Sequence, residues 1–491
     1  LIDMTRHEGE HPRFGGLDVC PLVPVSGISM EECVEHARTL ARRLGEEVGL
    51  TVYCYERAAT RPERRNLAHV RAVEYEGLAK RLAQPEWAPD CGPAKFNARS
   101  GATAVGARDF LVAYNVNLNS TSTRRANAIA FDVREKGRQK REGDPLTGPL
   151  VKDEKGEVVW IPGSLKAVKA IGWFIEEYGV AQISMNLTDV SVTPLHVAFD
   201  EVCAKAHARG LRVTGSELVG MVPLSALLDA GRHFLRKQQR SLGVSDSELV
   251  KIAVRSMGLD ELAPFDPRKK VIEYAIEDTS RKRLVDLTVR GFVEQTASES
   301  ATPGGGSVAA ALGALGAALG TMVANLSAHK RGWDERWEEF SDWAERGKAL
   351  QTELLALVDR DTDAFDAVLA AFALPKTTPE EAATRTAAIQ AATDGAARVP
   401  LRVMEVSLAS MEVAKGMAEK GLAASVSDAG VAALCARAAV LGAGLNVRIN
   451  AASLTDREAA KDLVDAANQL AAEAVRREAE ILELVEERMA G

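Results

Sequence analysis

Asp359, Asp361, Asp363 and Asp366 stand together in a run whose apolar residues, Leu350, Leu354, Leu357, Val358, Phe365, Val368 and Phe372, recur at helical spacing. At about 100° per residue those side chains form one stripe within roughly 60° of Asp361, and the other three acids point roughly to the opposite face. A carboxyl in the middle of an apolar face is costly to ionise, so its proton affinity rises toward the range useful for proton transfer. Asp361 is therefore a candidate general acid–base. An interior Asp that caps a neighbouring helix or pairs with an Arg has the same signature. Asp359, Asp363 and Asp366 are expected to be solvated.

Upstream, Pro303-Gly304-Gly305-Gly306-Ser307 opens a long uncharged helical run. Glycines before a helix start expose backbone N–H groups suited to anions or polar ring edges, and Ser307 is expected as the N-cap. No G-K-[ST] follows, so this is not a nucleotide P-loop. Asn446 and Asn450, four residues apart, share a helix face and suit either a polar ring or helix packing.

Residues 7–11 read His-Glu-Gly-Glu-His. On a helix that spacing would offer two imidazoles to zinc, but Gly9 and Pro12 break the helix and no third ligand is near, so no metal is expected. His11, between Glu10 and Pro12-Arg13 on a loop before a strand, reads as a general base titrating near neutrality or as a surface His. Gly92, Gly101 and Gly106 permit close backbone approach, and Lys95, Arg99, Arg108 and Arg13 are cations able to hold carboxylates.

Several elements must position these groups. Leu17–Val25 and Leu50–Tyr55 read as strands around a helix opened by the capping box Ser29/Glu32. Phe110–Leu118 is a further strand, followed by a helix from about Ser122 to Lys136. Residues 138–164 read as a polar loop or short hairpin. Then come a helix over 165–178, a strand Gln182–Leu187, a helix over 194–209, a strand over 211–214 and a helix from about Pro223. Fourteen of the 18 prolines lie in residues 1–283, and the remainder of the chain is Ala-rich with long 3.6-residue periodicity. The expected architecture is α+β: an α/β-sandwich half of two βαβ-type subdomains (1–109 and 110–277), a charged linker (278–283) and an all-α helical bundle (284–491).

The chain has 491 residues, 46% of them apolar and 26% charged, with 61 Lys+Arg against 69 Asp+Glu for a net charge of −8. No basic tail or stripe points to nucleic acid. Val308–Leu326 is uncharged and nearly long enough to span a bilayer, but it is mostly Ala and Gly and contains Asn325, so a buried bundle helix is expected rather than a membrane contact. Six scattered cysteines and no signal-peptide pattern predict a cytoplasmic protein. The chain starts at Leu1, without Met, in sequence that already reads as structured, so an upstream segment is expected.

The string GEHPRFGGLDVCPLVP (9–24), with CGPAKFNARSGATAVGARDFLVAYNVNLN (91–119) and GSELVGMVPLSALLDA (215–230), resembles the formiminotransferase half of the formimidoyltransferase-cyclodeaminase family. The stretch SATPGGGSVAAALGALGAALGTMVANL (300–326), with ALPKTTPEE (373–381) and GLNVRIN (444–450), resembles its cyclodeaminase half and the related methenyl-tetrahydrofolate cyclohydrolases. The resemblance implies a bifunctional folate enzyme of histidine breakdown, acting on N-formimino-L-glutamate and tetrahydrofolate without a metal and assembling as a homo-oligomer, in ring form in the family. It implies that His11 is the transferase catalytic residue. The folate-binding loop falls on Gly92, Pro93, Ala94, Lys95, Phe96, Asn97, Ala98, Arg99, Ser100 and Gly101. Family members often carry an aromatic residue near Ser100, and this chain does not. The second Asp of the family's D-x-D string, here Asp361, is implied as the cyclodeaminase catalytic residue. Gly304, Gly305, Gly306, Ser307, Asn446 and Asn450 are implied to bind folate.

Overall fold

The computed structural model describes residues 2–8, 13–143, 147–277 and 283–490. The chain forms two compact units, Leu1–Pro223 and Leu224–Gly491.

The first unit holds two main sheets. Strands β1 (Val19–Leu22), β2 (Thr51–Glu56) and β3 (Ala102–Ala107) form a parallel sheet in the order β1-β3-β2. Helix α1 (Met30–Glu46) connects the first two, opened by Ser29 and Glu32 in the expected capping box. Helices α2 (Leu67–Val70) and α3 (Glu74–Leu82) lie between β2 and β3. Central β3 is buried along its whole length, which is why it reads as unbroken small apolar sequence. Pro21, which cannot donate to a ladder, sits in edge strand β1.

The second sheet has the order β7-β8-β4-β9, every neighbouring pair antiparallel. The chain runs β4 (Val112–Leu118), α4 (Thr123–Val133), a small hairpin of β5 (Arg138–Gln139) and β6 (Trp160–Ile161), β7 (Val168–Ile175), β8 (Val180–Leu187), α5 (Leu195–His207) and β9 (Val213–Val219). Without the hairpin this is the β-α-β-β-α-β split form of the βαβ unit. The helix expected over 165–178 is strand β7. Its residues pair with β8 from Val168↔Leu187 to Ile175↔Val180. Val168 and Ala170 are buried while Lys169 and Ile171 are exposed, the two-residue period of a strand. Gly172 lies so close to α4 that a Cβ there would come 2.1 Å from the Asn127 nitrogen.

The second unit is helical: α6 (Leu224–Lys237), α7 (Asp246–Met257), short α8 (Pro267–Lys270) and α9 (Ile272–Ala275), α10 (Val289–Thr296), then five long helices. These are α11 (Gly305–Ala328), α12 (Trp337–Phe372), α13 (Pro379–Lys420), α14 (Val426–Ala452) and α15 (Arg457–Ala490). Residues 224–277, assigned from sequence to the transferase half, pack with this bundle: the Leu242 N–H donates to Ser341 Oγ at 3.0 Å, and Gly243 abuts Ala344. The expected linker 278–283 lies outside the described residues except for Arg283, which pairs with Asp286 and Glu277.

Helices α11 and α14 are long and apolar enough to cross a membrane, yet 61% of the apolar window of α11 is buried within the bundle, as in a core helix. Its small residues allow this: a Cβ on Gly313 would meet Ser407 Oγ at 2.5 Å and one on Gly316 the Ala432 carbonyl at 2.9 Å.

Candidate active site

The N-terminus of α11, the second half of α12, and α13 and α14 enclose a cavity of about 520 Å³. Gly304, Gly305, Gly306, Asp361, Asn446 and Asn450, all singled out in the sequence, line it together. Asp361 is the only ionisable side chain among the described lining residues.

Asp361 is held at the start of α11. It accepts the Ser307 backbone N–H, and its Oδ2 lies 2.9 Å from Ser307 Oγ. Burial pushes its pKa up from the ordinary carboxylate value, and the two hydrogen bonds from Ser307, hydroxyl first, pull the other way without cancelling the rise. A Cβ on Gly306 would fall 2.1 Å from Asp361 Oδ1, so the carboxyl occupies the space a side chain would need. The N-cap of α11 is Gly304, not Ser307 as expected. Ser307 lies within the first turn, fully buried, with its hydroxyl against Asp361 and the Val358 carbonyl.

The apolar stripe of α12 serves two surroundings. Leu354, Leu357 and Val358 enter the core, whereas Phe365 and Phe372 are partly exposed and, with Val368, form one cavity wall. Asp363 and Asp366 are exposed. Asp359 departs from expectation: it is half-buried and accepts the Leu284 N–H at 2.7 Å.

Both asparagines use their amide nitrogens within the protein. Asn446 Nδ2 donates to the Gly442 carbonyl at 3.1 Å and Asn450 Nδ2 to the Ala396 carbonyl at 2.7 Å. Each Oδ1 remains an acceptor, suited to the N–H edge of a heterocycle. Pro400 inside α13 explains the second bond, because it has no N–H to give the carbonyl four residues earlier. Gln390 and Thr393 of α13 also line the cavity. Neither was singled out from sequence. The capping box Thr378/Glu381 signals where α13 starts but not which face it turns inward.

In the first unit, residues 92–101 form a loop stitched to its surroundings. Gly92 and Gly101 have φ of +79° and +67°, and a Cβ on either would strike a carbonyl oxygen about 2 Å away (Leu50 at 1.9 Å, Phe14 at 2.2 Å). Thr51 Oγ1 donates to the Pro93 carbonyl, the Met4 N–H to that of Arg99, and Asn97 Oδ1 accepts from the Arg99 and Ser100 N–H groups. Lys95 and Arg99 are exposed, as are Pro93, Ala94 and Ala98. The ring of Phe96 meets Tyr75 at 5.5 Å, and the Tyr75 hydroxyl donates to the Ala98 carbonyl at 2.5 Å. An aromatic pair thus stands at this loop although the position near Ser100 is not aromatic. Arg13 is engaged within the protein: Glu76 accepts from it at 2.9 and 3.1 Å and the His7 carbonyl at 2.9 Å. Arg108 follows β3, at the opposite end of that strand from the loop, roughly 23 Å from Gly101 at about 3.3 Å per residue. Its neighbours there are Tyr55 and Glu56; burial raises the pKa of Glu56, while Lys169, Arg108 and Arg57 act against the rise. His11 lies outside the described residues.

Comparison with known proteins decides the family. Residues 1–108 match the N-terminal subdomain of the formiminotransferase domain, 113–277 the formiminotransferase domain, and 288–469 formiminotransferase-cyclodeaminase. The formimidoyltransferase-cyclodeaminase of Mus musculus is 43% identical over 93% of this chain and 81% of its own length. The chain belongs to the formimidoyltransferase-cyclodeaminase family. Each half also has single-function relatives. The glutamate formimidoyltransferase of Streptococcus pyogenes is 40% identical over 48% of this chain and 70% of its own length. The methenyltetrahydrofolate cyclohydrolase of Methylorubrum extorquens is 42% identical over 38% and 90%. Family membership gives the chain both activities, with tetrahydrofolate as the substrate they share.

Proposed function

We propose that this chain is a cytoplasmic, homo-oligomeric bifunctional folate enzyme of histidine degradation. The first half transfers the formimino group of N-formimino-L-glutamate to N5 of tetrahydrofolate, with His11 carrying the proton as N5 attacks and glutamate leaves. The helical half cyclises 5-formimino-tetrahydrofolate to 5,10-methenyltetrahydrofolate and releases ammonia. The reacting carbon is already an activated amidine, so neither step calls for a metal.

One observation carries the second step: among the described residues, Asp361 is the sole ionisable side chain lining a cavity with acceptors on one side and an apolar wall on the other. Asn446 Oδ1 and Asn450 Oδ1 suit the N–H groups of the pterin, and Phe365, Val368 and Phe372 suit the remainder of the folate. N10 attacks the formimino carbon and forms the new C–N bond. Asp361 takes the N10 proton and delivers a proton to the amino group, whose C–N bond then breaks as ammonia departs. Asp361 ends as it began. Its burial-raised proton affinity fits a group that must accept and return a proton within one turnover.

The likeness to the Methylorubrum cyclohydrolase supports a second reading, in which the bundle hydrolyses the methenyl product instead. Supplying 5-formimino-tetrahydrofolate and following ammonia separates the two. The proposed function requires stoichiometric ammonia; methenyl hydrolysis without ammonia release from the formimino compound selects the cyclohydrolase.

A further inference from the structure

The Ser307 hydroxyl is fully buried, its oxygen 2.9 Å from Asp361 Oδ2, 3.0 Å from the Val358 carbonyl oxygen and 3.5 Å from Thr362 Oγ1. It carries one proton and faces two stronger acceptors. When Asp361 is ionised, that proton goes to the carboxylate. When Asp361 is protonated, the acid donates to Ser307 Oγ, which donates in turn to Val358. Both arrangements keep the Ser307–Asp361 hydrogen bond, with its direction reversed by rotation of one O–H bond. Being fully buried, Ser307 also contributes no surface to the cavity, unlike its neighbours Gly304, Gly305 and Gly306.

We propose that Ser307 is a positioning residue for Asp361 rather than a folate contact, its hydroxyl accepting from the acid and donating to the carboxylate so that Asp361 is held in one place through both halves of the proton transfer. This rests on the acid–base reading of Asp361 given above. The geometry excludes the simpler view of Ser307 as a helix cap, since the cap is Gly304. Charges near the pair do not compete with it. From α12, Asp359 is engaged by the Leu284 N–H, and Arg360 and Asp363 are exposed. From α13 the cavity receives the neutral Gln390 and Thr393, while Asp394 and Arg398 pair with each other at 2.6 Å. From α14 it receives the neutral Asn446 and Asn450, and Arg448 reaches Asn468 instead. Hydrogen bonding by Ser307 is thus the main influence opposing burial at Asp361.

The test is the pH profile of ammonia release from 5-formimino-tetrahydrofolate by the full chain carrying Ser307→Ala, beside wild type and Asp361→Asn. Without the hydroxyl the carboxylate keeps the Ser307 backbone N–H but loses the stronger of its two donors and becomes easier to protonate, so the acid limb moves to higher pH. Losing one hydrogen bond to a charged group lowers kcat on that limb roughly tenfold. KM for the folate stays within about twofold, since no ligand contact is removed. Circular dichroism and thermal unfolding report the fold. If Ser307→Ala does not fold, Ser307→Cys, which fills the space with a weak donor, must show the same direction of shift. An unmoved acid limb in whichever variant folds, or a raised KM with an unmoved limb, overturns the inference while an inactive Asp361→Asn leaves the acid–base reading standing. A fully active Asp361→Asn removes that reading, and this inference with it.

Discussion

Asn450 donates its amide N–H to the carbonyl oxygen of Ala396 at 2.7 Å, the group that Pro400 leaves without its helical donor. A break in α13 and a polar residue of α14 thereby complete each other at the cavity wall, and the bond fixes how the Asn450 amide is turned, with Oδ1 still an acceptor. Asn450→Ala leaves that carbonyl unsatisfied and costs about 1–3 kcal/mol. In Pro400→Ala/Asn450→Ala the restored N–H at position 400 returns to Ala396, so the pair is less destabilised than the sum of its single changes by about 1 kcal/mol. Urea unfolding of the four proteins measures the cycle, and additive losses would contradict the coupling.

Gly306 has its Cβ position within 2.1 Å of the Asp361 carboxyl, whereas a Cβ on Gly395, also inside a helix, meets nothing within 4 Å. Gly306→Ala should abolish ammonia release by displacing Asp361. Gly395→Ala should keep the activity and stabilise the chain by up to about 1 kcal/mol through helix propensity. Steady-state assays with thermal melts check both, and a wild-type rate in Gly306→Ala would contradict the placement of the carboxyl.

The raised proton affinity of Asp361 makes a stability prediction of unusual sign. Between its ordinary unfolded value of 3.8 and its higher folded value, the folded chain binds the extra proton. The contribution of this group to stability therefore falls as pH rises through that window, opposite to the usual paired carboxylate. Asp361→Asn is a neutral mimic of the acid and removes the penalty. The variant should melt above wild type at pH 7, with the difference shrinking toward pH 4. A difference that grows on acidification would show a depressed pKa instead.

For His11, placed in the family string and outside the described residues, His11→Ala should abolish formimino transfer to tetrahydrofolate. Ammonia release from supplied 5-formimino-tetrahydrofolate should continue at the wild-type rate. Measuring the two half-reactions separately distinguishes a transferase proton carrier from a residue whose loss unfolds the chain, since unfolding would stop both.

Local periodicity makes much of the bundle cavity legible. Asp361 stands in a stripe whose spacing alone sets it apart from Asp359, Asp363 and Asp366, and the four-residue interval of Asn446 and Asn450 places both on one helix face. What escaped depended on contacts distant in sequence. The run that forms strand β7 reads as a helix because its identity is set by pairing with β8 and by the close approach of α4 to Gly172. Arg13 reads as a cation able to hold a carboxylate, and the sequence does not show that Glu76, 63 residues away, supplies one within the protein. In a run of three glycines the sequence does not say which residue starts α11, so Ser307 reads as the cap although Gly304 fills that place. Gln390 and Thr393 sit in a helix so rich in alanine that its two faces look alike until the fold turns one toward Asp361. The α+β organisation was legible from the split in proline and periodicity, though residues 224–277 join the helical unit in packing.

The central claim is that Asp361 is the acid–base group of cyclodeamination, and ammonia release from 5-formimino-tetrahydrofolate by Asp361→Asn tests it most directly, with exposed Asp363→Asn as the companion. Asp361→Asn should lose at least about a hundredfold in kcat, the low end of what a positioned general acid–base contributes, with its fold intact, while Asp363→Asn stays near wild type. Ammonia released by Asp361→Asn at the wild-type rate, or inactivation confined to Asp363→Asn, would contradict the account.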